Sequence, residues 1–146
     1  MLIAQLHEIV TDSLNRDLHT NAAFFGERLL SESDSEEVRH LLGRAYIGKI
    51  IIINNNNIGD GKFHKAFNIL KDSKSSQCRY LFAQVCLKLN KLLEAETALL
   101  TDKHFSKSIL SKDSESVIPN GSGGYYLLGL IIEKIGVKLY LTSKIE

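Results

Sequence analysis

Proline is almost absent from this chain: Pro119 is the only one in 146 residues. A sequence so short of that helix breaker, and rich in Leu, Ile and Ala, reads as all-helical. Cysteine is nearly as scarce, with Cys78 and Cys86 alone. They fall on one predicted helix, where their spacing rises ~12 Å, and a disulfide needs Cα atoms within ~7 Å. They therefore do not pair, and free buried thiols fit a reducing compartment, cytosol or nucleus. Excess charge is missing too: 18 basic against 17 acidic residues leave a net charge of +1, which gives no electrostatic case for nucleic acid or an acidic membrane. No apolar run reaches the ~18–20 residues that cross a bilayer, and the N-terminus lacks the basic and apolar segments of a signal peptide. No Ser/His/Asp or paired-carboxylate arrangement stands out. His7, His19, His40, His64 and His104 are scattered without ligand spacing. Gly59-Asp-Gly-Lys62 lacks the earlier glycine and the strand of a phosphate loop. The expectations are no catalytic residue, no cofactor, no metal, no membrane, no nucleic acid and no small-molecule substrate.

What the chain does have is helical periodicity. Leu2, Ile3, Leu6, Ile9, Val10 and Leu14 line one side of a first helix over 2–16. A second, about 21–32, carries Ala22, Ala23, Phe24, Phe25, Leu29 and Leu30, with Thr20 or Asn21 as its cap. Glu36 and Glu37 open a third at its positive dipole end, followed by Val38, Leu41, Leu42, Ala45 and Tyr46. Further helices are predicted over about 62–72, 76–89, 91–101 and 124–135, with a stub over 137–145. The tract Lys49 to Gly61, with four isoleucines and four asparagines in succession, reads as an insertion between paired helices. Residues 102–123 read as a linker, serine-rich and ending in Pro-Asn-Gly-Ser-Gly. Deleting Ile50 to Gly59 and rejoining the helices is expected to leave fold and melting temperature nearly unchanged, because loop length acts weakly, ~0.6 kcal/mol per doubling.

One pattern recurs along these helices. Leu42-Gly43-x2-Tyr46 is answered by Ala66 and Leu70; Phe82-Ala83-x2-Cys86 by Ala95 and Leu99; a third copy begins at Leu128-Gly129. Small residues (Gly43, Ala66, Ala83, Ala95, Gly129) let two helices approach, and large ones (Leu42, Tyr46, Leu70, Phe82, Cys86, Leu99) fill the space between. This resembles the tetratricopeptide repeat (TPR), a helix–turn–helix unit of ~34 residues. The resulting expectation is an all-α, right-handed α-solenoid of about seven or eight helices, forming one domain over 1–146. Its repeats would span about 1–33, 34–73, 75–101 and a truncated 123–146, with the insertion at 49–61 and the linker at 102–123. Such a scaffold presents surface rather than chemistry. Its groove would show His40, Leu41, Arg44, Ile47, Gln77, Tyr80, Leu81, Gln84 and Leu87, apolar enough to receive a helix rather than an acidic tail.

Three stretches are more specific: Asn21-Ala-Ala-Phe-Phe-Gly-Glu-Arg-Leu-Leu30 with Ser35 to Tyr46, Gly61-Lys-Phe-His-Lys-Ala-Phe-Asn-Ile-Leu-Lys71, and Ser76-Gln-Cys-Arg-Tyr-Leu-Phe-Ala-Gln-Val-Cys86 with Leu89 to Glu96. In this order they resemble the N-terminal region of the TPR scaffold subunit of the anaphase-promoting complex (cyclosome). The departures are the isoleucine–asparagine insertion and the missing second tyrosine after Tyr46. The resemblance implies a non-catalytic part of a mitotic ubiquitin ligase, in nucleus and cytoplasm, partnered by other subunits of the complex and by a second copy of itself.

Self-association also follows from the residues. A solenoid end needs a polar cap, and the stripe on the first helix is apolar. Adjacent Phe24 and Phe25 cannot both point at one neighbour. A dimer interface built from Leu2, Ile3, Leu6, Ile9, Val10, Phe24 and Phe25 against Leu41, Arg44, Ile47, Tyr80, Leu81 and Gln84 is therefore expected. The alternative is an unrelated TPR adaptor that binds a helix or peptide as a monomer.

Overall fold

The computed structural model describes residues 2–48, 60–100 and 118–145. These form seven α-helices: α1 (Leu2–Asn15), α2 (His19–Glu32), α3 (Glu36–Ile47), α4 (Asp60–Leu70), α5 (Ser76–Lys88), α6 (Leu92–Leu100) and α7 (Gly121–Ile145). Among the described residues there is no strand. The all-helical expectation holds.

Packing is sequential. Each helix lies against the next, and α1, α3, α5 and α7 also touch in turn, α1 on α3, α3 on α5, α5 on α7. That is how helix pairs stack when the first helix of each pair lines one face. The core divides into three clusters along the stack. Leu6, Val10, Leu14, Ala22, Leu29, Val38, Leu41 and Ala45 fill the first. Leu42, Tyr46, Phe63, Ala66, Leu70, Cys78, Leu81 and Val85 fill the second. Ala83, Cys86, Ala95, Ala98, Leu99, Ile118, Leu127, Leu128 and Ile131 fill the third. Helix α3 feeds the first two clusters with alternate faces, Val38, Leu41 and Ala45 to one side, Leu42 and Tyr46 to the other.

Local chemistry explains the helix starts. The hydroxyls of Ser35 and Ser75 accept from the backbone N–H of Val38 at 3.3 Å and of Cys78 at 3.2 Å, capping α3 and α5. Glu36 and Glu37 occupy the first turn of α3. Helix α2 differs from expectation. It starts at His19, behind Leu18, with no side-chain cap, so neither Thr20 nor Asn21 plays that part. The backbone does the work: Asp17 adopts φ 58° and the Leu18 N–H donates to the Ser13 carbonyl at 2.8 Å. The closed end of α1 thus hands the chain directly to α2.

The end of the chain departs further. In place of the two helices expected over 124–135 and 137–145, α7 runs unbroken through Gly136 to Ile145. One glycine costs a helix only ~1 kcal/mol, too little by itself to end it. The predicted linker is shorter as well, since Ile118 and Pro119 are buried and Gly121 already belongs to α7. Residues 102–117 of that linker, and 49–59 of the predicted insertion, lie outside the described residues; α4 begins at Asp60.

Glycines at two positions in α7 behave oppositely. A Cβ on Gly124 would stand 2.0 Å from the Pro119 carbonyl oxygen and 2.6 Å from Ile118 Cγ2. Gly129, expected to be a close-packing residue, is exposed, and among the described residues nothing lies within 4 Å of such a Cβ. The small-residue register at Gly43, Ala66, Ala83 and Ala95 therefore does not extend to Gly129. Gly129→Ala should raise stability by ~0.5–1 kcal/mol, whereas Gly124→Ala should lower it by ~1–3 kcal/mol. Urea melts of the two variants check the opposite signs.

Candidate functional site

The stripe on α1 splits into two sets. Leu6, Val10 and Leu14 turn inward against α2 and α3 and are buried. Leu2, Ile3 and Ile9 stay exposed at 49%, 46% and 40%. Of the two phenylalanines on α2, Phe24 is 69% exposed, and Phe25 packs half-buried on the first cluster with its ring edge-on to Phe24. The expected groove divides likewise. Leu41 and Leu81 are buried in the chain's own core, Ile47, Tyr80 and Gln84 are half-buried, and Arg44 is exposed. Leu6, Val10, Leu41 and Leu81 are thus committed to intrachain packing. Of the residues expected at the interface, those left accessible are Leu2, Ile3, Ile9 and Phe24, with Arg44, Ile47, Tyr80 and Gln84 on the first helices of the next pairs.

The remaining packing residues hold the pairs together. Leu42, Gly43, Tyr46, Ala66, Leu70, Ala83, Cys86, Ala95 and Leu99 are buried, and Phe82 is half-buried with its ring centroid 5.1 Å from that of Phe67. Polar ties cross between the helices. The Tyr46 hydroxyl donates to Glu27 at 2.5 Å, and Lys65 sits 3.7 Å from the same carboxylate and over the Tyr46 ring. Three helices, α2, α3 and α4, are fastened at one point. Burial, followed by the Glu27 hydrogen bond, pushes the Tyr46 phenol above its ordinary range.

A second tie joins α3 to the α4–α5 turn. The Glu36 carboxylate accepts from the Lys74 backbone N–H at 2.6 Å, which holds its pKa below the usual value. Its carbonyl accepts from the Cys78 thiol at 3.2 Å. Arg39 grips Asp34 with two nitrogens at 2.6 and 2.8 Å, and that hydrogen-bonded pairing lowers the Asp34 pKa and raises that of Arg39. His7 on α1 meets Glu37 on α3 at 3.1 Å. Burial and then Arg44 hold the His40 pKa below its ordinary value. Burial, with Glu94 adding, pushes the Cys86 thiol up to about 12. That keeps it protonated and inert as a nucleophile.

Among the described residues no group of three or more His, Cys, Asp or Glu could hold a metal ion. No helix there is long and apolar enough to cross a membrane. One exposed set escaped sequence reasoning: Tyr125, Tyr126, Ile132, Val137, Leu139, Tyr140 and Leu141 on α7. The available signal was an apolar stretch without a polar face, and the expected break at Gly136 hid it.

Stacked helix pairs, a small/large packing register and a surface of exposed apolar side chains define a TPR-like repeat scaffold. Residues 58–101 match the family model described as Anaphase-promoting complex, cyclosome, subunit 3. The chain is 38% identical over 133 residues to Cell division cycle protein 27 homolog A of Arabidopsis thaliana, covering 91% of this chain and 16% of that protein. Homolog B of the same plant is 36% identical over 88% of this chain and 14% of its own length. The human homolog is 35% identical over 62% of this chain and 10% of its own length. The chain is therefore homologous, over most of its length, to the N-terminal region of the cell division cycle protein 27 homologs, the TPR subunit 3 of the anaphase-promoting complex. It spans about a sixth of the length of the first of these relatives.

Proposed function

We propose that this chain is a single non-catalytic scaffold domain that dimerises through its first helix pair and contributes to an anaphase-promoting complex, a mitotic ubiquitin ligase. The observation that carries the dimer is the set Leu2, Ile3, Ile9 and Phe24, large apolar side chains left in water on α1 and α2. Large apolar side chains exposed on neighbouring helices are the kind of surface that a partner covers. A second copy supplies a matching one in Ile47, Tyr80 and Gln84, half-buried on α3 and α5, with Arg44 at the rim. A two-fold arrangement covers the set twice, once per copy. Homology to the subunit 3 proteins supports the complex, and with it other subunits as partners and a nuclear and cytoplasmic location. The interface is expected to bury on the order of 2,000 Å² or more.

Light scattering or sedimentation on the purified chain tests the reading. A dimer mass at tens of micromolar is expected. A monomer under those conditions ends the dimer proposal and leaves an adaptor that binds its partner one-to-one.

A further inference from the structure

Helix α7 turns Leu127, Leu128 and Ile131 inward to the third core cluster. On its other side, spaced three or four apart and so on one face, stand Tyr125, Gly129, Ile132, Gly136 and Tyr140. The large side chains of this stripe are 51%, 53% and 61% exposed in chain order, Tyr140 even with the Lys144 ammonium over its ring. Among the described residues nothing lies within 4 Å of a Cβ placed on Gly129 or Gly136. Each glycine in a helix interior costs ~1 kcal/mol against alanine, and no close contact among the described residues offsets that cost.

The order of the residues says what covers the face. The stripe reads the same from either end of the helix: Ser122-x2-Tyr125-x3-Gly129-x6-Gly136-x3-Tyr140-x2-Ser143. Its midpoint falls between Ile132 and Glu133. A two-fold contact requires this property, since residue i of one copy must meet j of the other while j meets i. Laid antiparallel about that midpoint, two α7 helices bring Tyr125 to Tyr140, Gly129 to Gly136 and Ser122 to Ser143, each pair twice. Facing glycines let the two backbones approach, and the tyrosines pack ring against ring on either side of the crossing. Glu133, Lys134 and Lys138 border a hollow beside Asn90 and Leu92, to one side of the stripe, and keep their water.

We infer that α7 is a second self-association site, at which two copies of this chain pair antiparallel through the stripe from Tyr125 to Tyr140. By the order of packing α7 lies at the other end of the stack from α1. The contact therefore forms independently of the one through α1 and α2, and the two together link dimers end to end. One helix face buries less than about 1,200 Å², the size of a weak contact. It is silent at tens of micromolar and populated at roughly 0.5 mM.

Cross-linking of the whole chain tests the register. Tyr125→Cys and Tyr140→Cys are made as separate proteins, each also carrying Ile3→Asp and Ile9→Asp, so that the outcome does not depend on dimerisation through α1. They are oxidised with diamide at roughly 0.5 mM. Cys78 and Cys86 are buried and stay out of the reaction. The mixture of the two proteins is expected to give at least about fivefold more disulfide-linked dimer than either protein alone, because position 125 meets 140 and not itself. Gly129→Ala, which stabilises the single chain, should cut that yield at least about fivefold by holding the helices apart. Each altered position is exposed, and unchanged circular dichroism shows that the variants are folded. Equal yields from mixture and single proteins, or a yield that Gly129→Ala leaves unchanged, overturns the inference. So does linkage within one variant alone, which marks a parallel pair. Absence of linkage overturns it too, and assigns the face to another occupant, the chain's own residues 102–117 or a different protein.

Discussion

Leu42→Ala should destabilise the chain by ~2–5 kcal/mol, the cost of emptying a site that cannot collapse. A domain of this kind has only ~5–15 kcal/mol in total, so the variant should be largely unfolded well below the wild-type urea midpoint. Leu42 is 1% exposed and occupies the cluster that also holds Tyr46, Phe63, Ala66 and Leu70. It reaches back as well, because a Cβ on Gly26 of α2 would come within 3.0 Å of its Cδ1. One side chain thus joins the first helix pair to the second. In a stacked array each pair is held mainly by its neighbours, so loosening α3 weakens both seams. Leu93→Ala, at a side chain 73% exposed, should change stability by less than about 0.5 kcal/mol. Urea titrations followed by circular dichroism compare the two, and similar midpoints would contradict the packing account.

The second large effect concerns association. Ile3→Asp combined with Ile9→Asp should convert a dimer to a monomer at tens of micromolar with helicity retained. Both side chains are exposed in the single chain, at 46% and 40%. The folded monomer tolerates the carboxylates there. Burial of either against a second copy leaves an unpaired charge out of water, which costs several kcal/mol, and the two-fold axis doubles each penalty. Leu6→Ala reports something else, because Leu6 is 6% exposed and lies in the first core cluster. Its loss should lower the melting temperature whether or not the chain dimerises. A double aspartate variant that keeps the wild-type mass would remove α1 from the interface.

Much of the fold could be read from the sequence where one physical signal dominated. Gly43, Ala66, Ala83 and Ala95 all lie buried at helix contacts, because a close crossing admits only small side chains and leaves a pattern in the chain. The same signal misled at Gly129, where leucine-glycine spacing repeats but, among the described residues, nothing lies within 4 Å of a Cβ placed there. Periodicity identified α1 but could not tell which apolar residues its own neighbours would use. The division of Leu6 and Val10 from Ile3 and Ile9 depends on where α2 and α3 lie, which is tertiary information. The start of α2 was missed because backbone bonds around Asp17 replace a side-chain cap, and Ile118 and Pro119 were missed because their burial against α7 lies inside a run of polar loop residues.

The two free thiols give the molecule a pair of internal clocks. Cys78 and Cys86 sit on the same helix, both 0% exposed, yet belong to different seams: Cys78 to the cluster shared with α3 and α4, Cys86 to the one shared with α6 and α7. A thiol reagent reaches either sulfur only after the structure over it opens, so each alkylation rate reports a local opening free energy. If the array frays from its ends, the two sulfurs should react at different rates, and urea should accelerate them by different factors. If α5 departs as one unit, those urea dependences should coincide, and the burial that raises the Cys86 pKa is relieved in the same opening.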